Sequence, residues 1–282
     1  MTSIVFATCK ASPEIQPSDA LVRDVLAARG ATVAVAPWNG PQDAFETADA
    51  VVIRSTWDYQ YAPGDFEAWL VRRDQSGLVL NPPSLMRWNM SKEYLLALAA
   101  EGAPLPPTRR VAPTATSIAE VMDEMGLAQA VVKPEFGATS SGLSIVNRED
   151  EAGLETAARE LTMPGVMQPV LSEIKTRGET SFLFIDGDFT HAVTKMPKAG
   201  EIRSQKEFGG SSERATPPGW AVEEARRILA MAPEPSLYAR VDAIVLDDGM
   251  QLMELELIEP ELFFTYAPEA ADRFAAALMS RL

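Results

Sequence analysis

A single cysteine and a single histidine are spread over 282 residues. Cys9 has no partner for a disulfide and cannot build a thiolate cluster, so it reads as a small core residue. One histidine, His191, excludes a zinc site with several imidazoles, and its place on an alternating hairpin fits a structural hydrogen-bonding role. Positive charge is scarce: 25 Lys and Arg stand against 40 Asp and Glu, for a formal net charge of -15. Such a surface repels nucleic acid and anionic membranes. No apolar run reaches membrane-spanning length, and the opening MTSIVFATC is too short and uncharged for a signal peptide. A soluble cytoplasmic protein is therefore expected. Any anionic ligand has to be gripped by a local cluster of the few cations.

Hydrophobic residues make up 46% of the chain, enough for a substantial core and for two or three compact units. The first 90 residues alternate short strands and helices. Strands are expected at Ser3 to Thr8, Thr32 to Ala36, Ala50 to Arg54 and Leu78 to Leu80, with helices at Ser18 to Arg29 and Phe66 to Arg73. This is the pattern of a small α/β domain with a mostly parallel sheet. A helix carrying Lys92 near its start runs from Ser91 to Ala100, and the Pro-rich passage APLPPTRR then reads as an interdomain crossing. Residues 91–170 form one α+β unit, small enough to move as a lid, and residues 171–282 form another. Asp186-Gly187 and Asp247-Asp248-Gly249 each mark a hairpin in that last unit. The stretch Pro197 to Pro218 reads as a long loop, and Ala267 to Arg281 as a closing helix.

Chemistry concentrates near the end of the chain. RVD, Arg240 to Asp242, and MELELIEP, Met253 to Pro260, lie on two neighbouring strands. Residues two apart on a strand share a side, so Glu254 and Glu256 can converge, with Asp242 opposite. Packing gives no reason to bury acids together, whereas Mg²⁺ takes carboxylate and phosphate oxygens at once. The trio is the candidate metal site; exposure on a solvated hairpin is the plain alternative. Lys133 ends a strand and opens the loop PEFGATSSG, whose backbone N–H groups at Gly137, Ser140 and Ser141 can cradle phosphate. It lacks the Gly-Lys-Ser/Thr of a Walker loop. Lys195 and Arg203 belong to a second cationic segment, KMPKAGEIRSQKEFGG, where Arg203 can grip a phosphate or carboxylate through paired hydrogen bonds. The connector Gln168, Pro169, Val170, Leu171 reads as plain core and linker, and as an apolar joint between lobes it can also hold a flat base, with Glu173 or Glu179 near a ribose. RSTWDY follows an apolar strand, where ligands gather in parallel sheets; Trp57 and Tyr59 can equally fill a domain interface.

RSTWDY, RWNMSKEYL, the Lys133 strand and loop, HAVTKMPKAGEIRSQKEFGG, YARVD and MELELIEP together resemble the ATP-grasp superfamily, in that order and over nearly the whole chain. Within it the chain resembles the bacterial glutathione synthetases and the O-ureido-serine cyclo-ligases of D-cycloserine biosynthesis. The resemblance implies an ATP-grasp fold: a small parallel-sheet domain, then two α+β subdomains clasping the nucleotide. It implies ATP phosphates on Lys92 and Lys133, adenine on Gln168 to Leu171, ribose on Glu179, and two Mg²⁺ ions on Asp242, Glu254 and Glu256. Related ligases commonly carry Asn at the last of these positions, so Glu256 adds negative charge. Arg203 and Lys195 are the implied catalytic cations, Arg203 on the acyl phosphate. Arg54, Thr56, Asp58 and Asn89 are expected to face a small amino-acid-like substrate. Relatives often dimerise through the first domain. The implied reaction activates a carboxylate with ATP for attack by an amine-type nucleophile, from a second molecule or from within the same one; a non-catalytic ATP-binding protein is the remaining alternative.

Overall fold

The computed structural model describes residues 2–137, 141–198, 201 and 209–282. Three sheets organise it. The first is parallel, in the order β2-β1-β3-β4, from β1 (Ser3–Thr8), β2 (Thr32–Pro37), β3 (Ala50–Ser55) and β4 (Leu78–Leu80). Its crossovers are α1 (Pro17–Ala28), the short α2 (Asp43–Glu46) and α3 (Pro63–Ser76). Tertiary packing explains why β1 and β3 read as continuous apolar runs: both of their faces are covered. Phe66, Trp69 and Leu70 close one face. The other is closed from α1 by Val22 and Leu26, together with Phe274 and Leu278 from the far end of the chain.

The passage after β4 holds two helices where one was expected: α4 (Pro83–Met90) and α5 (Tyr94–Ala100). The break between them contains Ser91 and Lys92, so Lys92 sits at a bend and not within a helix. The Lys92 N–H donates to Glu135 O (2.9 Å), which ties the bend to the next unit.

The second sheet is antiparallel, in the order β5-β8-β6-β7. It comprises β5 (Arg109–Val111), β6 (Gln129–Pro134), β7 (Ser144–Asn147) and β8 (Gly165–Pro169), with α6 (Ala115–Met125) and α7 (Glu151–Glu160) packed on one side. Thr114 and Asp150 accept from N–H groups in the first turns of these two helices, which fixes where each begins.

The third sheet is also antiparallel, in the order β11-β10-β9-β12-β13. After α8 (Ile174–Arg177) come β9 (Glu179–Ile185), β10 (Asp188–Met196), β11 (Ser211–Ala215), α9 (Gly219–Leu229), β12 (Tyr238–Val245), β13 (Met250–Glu256) and α10 (Glu269–Met279). Strand β11 lies within the stretch Pro197 to Pro218, expected as a loop. Its sequence SSERA is polar and half exposed at a sheet edge, so it carries no hydrophobic alternation to reveal it. Helix α10 turns back onto the first sheet, where Phe274 stacks on Tyr238.

The edge of β13 is covered by side chains and a loop. Asn89 Nδ2 donates to Leu255 O (2.8 Å) while its Oδ1 accepts from Leu257 N (2.9 Å). Tyr94 Oη accepts from Leu255 N and Pro104 O from Leu252 N. Asn81 donates to Leu257 O and Tyr238 O, and accepts from Leu237 N. Groups that would otherwise template another strand are thus spent internally.

Candidate active site

A cleft of about 580 Å³ opens between the three sheets. Lys133, at the end of β6, and Lys92, at the bend, enter it from one side. Glu254 on β13 receives both: Lys92 Nζ is 3.2 Å and Lys133 Nζ 3.5 Å from its Oε1. Burial pulls Lys133 below the usual lysine range, partly offset by Glu254; burial pushes Glu254 up, but the two lysines hold it below the ordinary carboxylate value. Lys92 Nζ also donates to Gly137 O (3.4 Å), so the bend and the glycine-bearing loop close on the same spot.

The register sets the second cluster. Asp242 pairs across with Glu254, and Arg240 with Glu256. Arg240 lies two residues before Asp242 and therefore shares its side. Its guanidinium grips Asp242 (Nε to Oδ1 3.0 Å, Nη2 to Oδ2 3.0 Å) and also Glu256. Lys195 Nζ bridges Asp242 Oδ2 (3.0 Å) and Glu179 Oε1 (3.1 Å), and Ser181 Oγ donates to Asp242 Oδ1 (2.6 Å). Burial opposes ionisation of Asp242, yet Arg240 and Lys195 hold it well below the carboxylate range. Burial, Asp242 and Glu254 raise Glu256 despite Arg240.

The donors are hard carboxylate oxygens, which suits a divalent cation bound with phosphate. Glu254 and Glu256 fit that use, since both line the cleft from the strand that Lys92 and Lys133 approach, the lysines that would meet the phosphate. The expected three-way convergence does not hold among the described residues: no three acids face a common point as a metal cluster. Asp242 is engaged by Ser181, Arg240 and Lys195, and the sequence reading assigns no role to Arg240. That arginine was findable, two residues from an acid already singled out.

At the other end the cleft is apolar, with Val131, Leu171, Ile174 and Met253 in its wall. Gln168 and Pro169 line it, Gln168 Nε2 being held by Thr108 Oγ1 at 3.0 Å. Glu179 faces it; burial raises its acid, with Lys195 opposing. Val170 and the exposed Glu173 are not among the described lining residues. Gly137 and Ser141 do line it, and Ser141 Oγ meets Tyr61 Oη across the mouth at 3.1 Å. Ser140 and Arg203 lie outside the described residues.

The expected substrate residues are placed differently. Arg54 is 2% exposed and turns into the core, where Nε meets Asp19 Oδ1 at 2.8 Å and Nη2 donates to Pro260 O at 2.9 Å. A guanidinium denied water takes its partners from inside the protein. Asp58, just past the end of β3, accepts from Trp38 Nε1 (2.7 Å) and Asn39 Nδ2 (2.8 Å), just past the end of β2. The Thr56 hydroxyl is buried without a partner among the described residues. Asn89 borders the cleft, but both ends of its amide belong to the β13 edge. The first domain instead presents Trp57 and Tyr59 to the cleft.

Comparison with known proteins sets this geometry in a family. The family model of the prokaryotic glutathione synthetase ATP-grasp domain matches residues 97–260, and that of the N-terminal domain of D-cycloserine synthetase DcsG matches residues 4–81. The chain belongs to the ATP-grasp ligases, enzymes that activate a carboxylate and join it to an amine-type nucleophile. Within that class, the cycloserine biosynthesis protein DcsG of Streptomyces lavendulae is 30% identical over 271 residues, 90% of each chain. The glutathione synthetase of Prochlorococcus marinus (strain MIT 9313) is 28% identical over 272 residues, covering 92% of this chain and 84% of that one. The crystal structure of D-cycloserine synthetase DcsG superposes with a TM-score of 0.88 at 26% identity over 99% of both chains. D-alanine–D-alanine ligase from Bacillus anthracis, at 15% identity over 99% and 97% of the two chains and a TM-score of 0.72, shares the fold. Among the described residues no helix is long and apolar enough to cross a membrane.

Proposed function

We propose that this chain is an ATP- and Mg²⁺-dependent ligase that activates the carboxylate of a small amino-acid-like substrate as an acyl phosphate. The nucleophile that follows is nitrogen from the same molecule, so that a ureido-oxy amino acid of the O-ureido-serine type closes to a ring. One observation carries the reading of the phosphate end: two buried lysines, Lys92 and Lys133, meet over one carboxylate in a protein of net charge -15. So scarce a charge, buried twice at one point, is explained by a polyanionic ligand. The match to DcsG along both domains favours the intramolecular form over a two-substrate ligase.

Lys92 and Lys133 hold the β- and γ-phosphates and exchange Glu254 for them. A substrate carboxylate oxygen attacks the γ-phosphorus and ADP leaves. The nitrogen then attacks the acyl carbon, inorganic phosphate departs, and the nitrogen loses its proton. Lys195 keeps Asp242 ionised and in place, and Arg240 does the same from the other side. Mg²⁺, held by Glu254 and Glu256 with Asp242 beside them, would supply charge neutralisation on the transferring phosphoryl group. The apolar wall at Val131, Leu171, Ile174 and Met253 excludes water from the base end.

The test is ADP release with Mg-ATP and O-ureido-D-serine, with and without added amines, read beside product mass. ADP with a cyclised mass and no need for amine is expected. Turnover only with an added amine would replace ring closure with intermolecular ligation. ATP binding without turnover of any small acid would overturn the enzyme reading.

A further inference from the structure

Glu259 stands out among the acids of the cleft. Glu179, Asp242, Glu254 and Glu256 each have a lysine or arginine on their oxygens, and the half-buried Glu261 accepts from Phe263 N at 2.9 Å. Glu259 is 9% exposed, lines the cleft, and has no hydrogen bond to another side chain among the described residues. Its backbone, by contrast, is fixed. Four successive carbonyls accept from four different side chains: Ile258 O from Tyr238 Oη (2.9 Å), Glu259 O from Trp57 Nε1 (3.2 Å), Pro260 O from Arg54 Nη2 (2.9 Å) and Glu261 O from Arg240 Nη1 (3.1 Å). A buried carboxylate carried on clamped backbone, with no cation and no other side chain hydrogen-bonded to its oxygens among the described residues, is pre-organised for a ligand. The ligand that satisfies a buried carboxylate beside the aromatic walls of Trp57 and Tyr59 is a cation with hydrogens to donate.

We propose that the Glu259 carboxylate receives the protonated amine of the acid substrate, so that the cleft selects amino acids whose amine is free. This rests on the ligase reading above and deepens it: the amine is recognised and does not react. Burial, with Glu256 nearby, pushes the Glu259 acid up to about 8 although Lys92 and Arg240 oppose the shift, so a bound ammonium and the ionised carboxylate stabilise each other. Hydrogen-bonding sites reject analogues that leave their buried group unpaired.

The experiment compares the wild type with Glu259→Gln on O-ureido-D-serine and its N-acetyl derivative, by ADP release and by calorimetric titration in the presence of Mg²⁺ and AMPPNP. The wild type should favour the free amine, and Glu259→Gln should lower kcat/KM for it about 10- to 100-fold, the range of one charged hydrogen bond. The preference over the N-acetyl acid should collapse, with the KM for ATP and the Mg²⁺ requirement unchanged. An intact preference in Glu259→Gln, or a weakened Mg²⁺ requirement in place of a lost preference, would overturn the proposal. If neither acid is turned over, the ligase reading fails on that substrate and binding decides separately: tighter binding of the free amine by wild type than by Glu259→Gln upholds the role of Glu259, and equal or absent binding in both refutes it.

Discussion

Replacing Arg54 by Met separates an internal clamp from a substrate ligand. In the structure the side chains of Arg54 and Asp19 are 2% and 4% exposed and meet at 2.8 Å. The guanidinium also lies over the Tyr238 ring, 5.1 Å from its centroid, and donates to Pro260 O. Methionine keeps much of the volume but leaves Asp19 buried without its cation. Breaking a buried pair from one side costs about 3–5 kcal/mol, a large share of the 5–15 kcal/mol that typically holds a domain. With a denaturant slope on the order of 5 kcal/mol per molar guanidinium for a chain of this size, the unfolding midpoint should fall by about 0.8 M. Adding Asp19→Asn removes the stranded charge, so the double variant should regain about 2 kcal/mol; the four proteins form a double-mutant cycle. The measurement is equilibrium unfolding by circular dichroism at pH 7. A wild-type midpoint in Arg54→Met, joined to a raised KM for the acid substrate, would refute the clamp and return Arg54 to the substrate.

Two further changes probe the third sheet. His191 is 3% exposed, its Nε2–H donates to Leu262 O at 3.0 Å, and burial lowers its pKa to about 4. The unfolded chain takes up this proton near 6.5 and the folded one only near 4, so the contribution is present at neutral pH and is lost as pH falls through that window. About 2 kcal/mol should disappear between pH 7 and pH 5, and His191→Gln should remove that part of the acid sensitivity in urea unfolding; an unchanged pH profile would contradict it. Gly178 has φ +70°, and an added Cβ would lie 2.5 Å from Met196 Sδ and 2.7 Å from Lys195 O. Gly178→Ala should therefore cost about 3 kcal/mol by thermal unfolding, and a loss below ~1 kcal/mol would show that β10 yields there.

The sequence made the parallel first sheet legible because its strands are short, apolar and separated by helices. Strands β12 and β13 were legible through their alternation, and so was the shared face of Asp242, Glu254 and Glu256. What stayed hidden has physical causes. All six residues of β3 are buried, so no alternation shows which way Arg54 points, and a long side chain at a strand end can turn inward as readily as outward. Asn89 is expected at the substrate through the resemblance; its actual partners, Leu255 and Leu257, lie more than 160 residues away in sequence, and no local pattern reports such a pairing. Strand β11 escaped because a polar edge strand carries no hydrophobic signature. Glu259 is one more acid of MELELIEP in the sequence, since the lack of a cation on its oxygens is a property of three-dimensional packing.

The four clamped carbonyls of residues 258–261 also bear on how such a scaffold can be rebuilt. Arg54 and Trp57 come from the first domain, Tyr238 and Arg240 from the third sheet, and α10 is sewn into the first core as well. The first domain is therefore not an interchangeable cartridge. Exchanging it for that of a relative would carry off two of the four rivets and a third of a shared core. A chimera with a new specificity would have to bring 258–282 with its donor domain, as one part made of two distant stretches of chain.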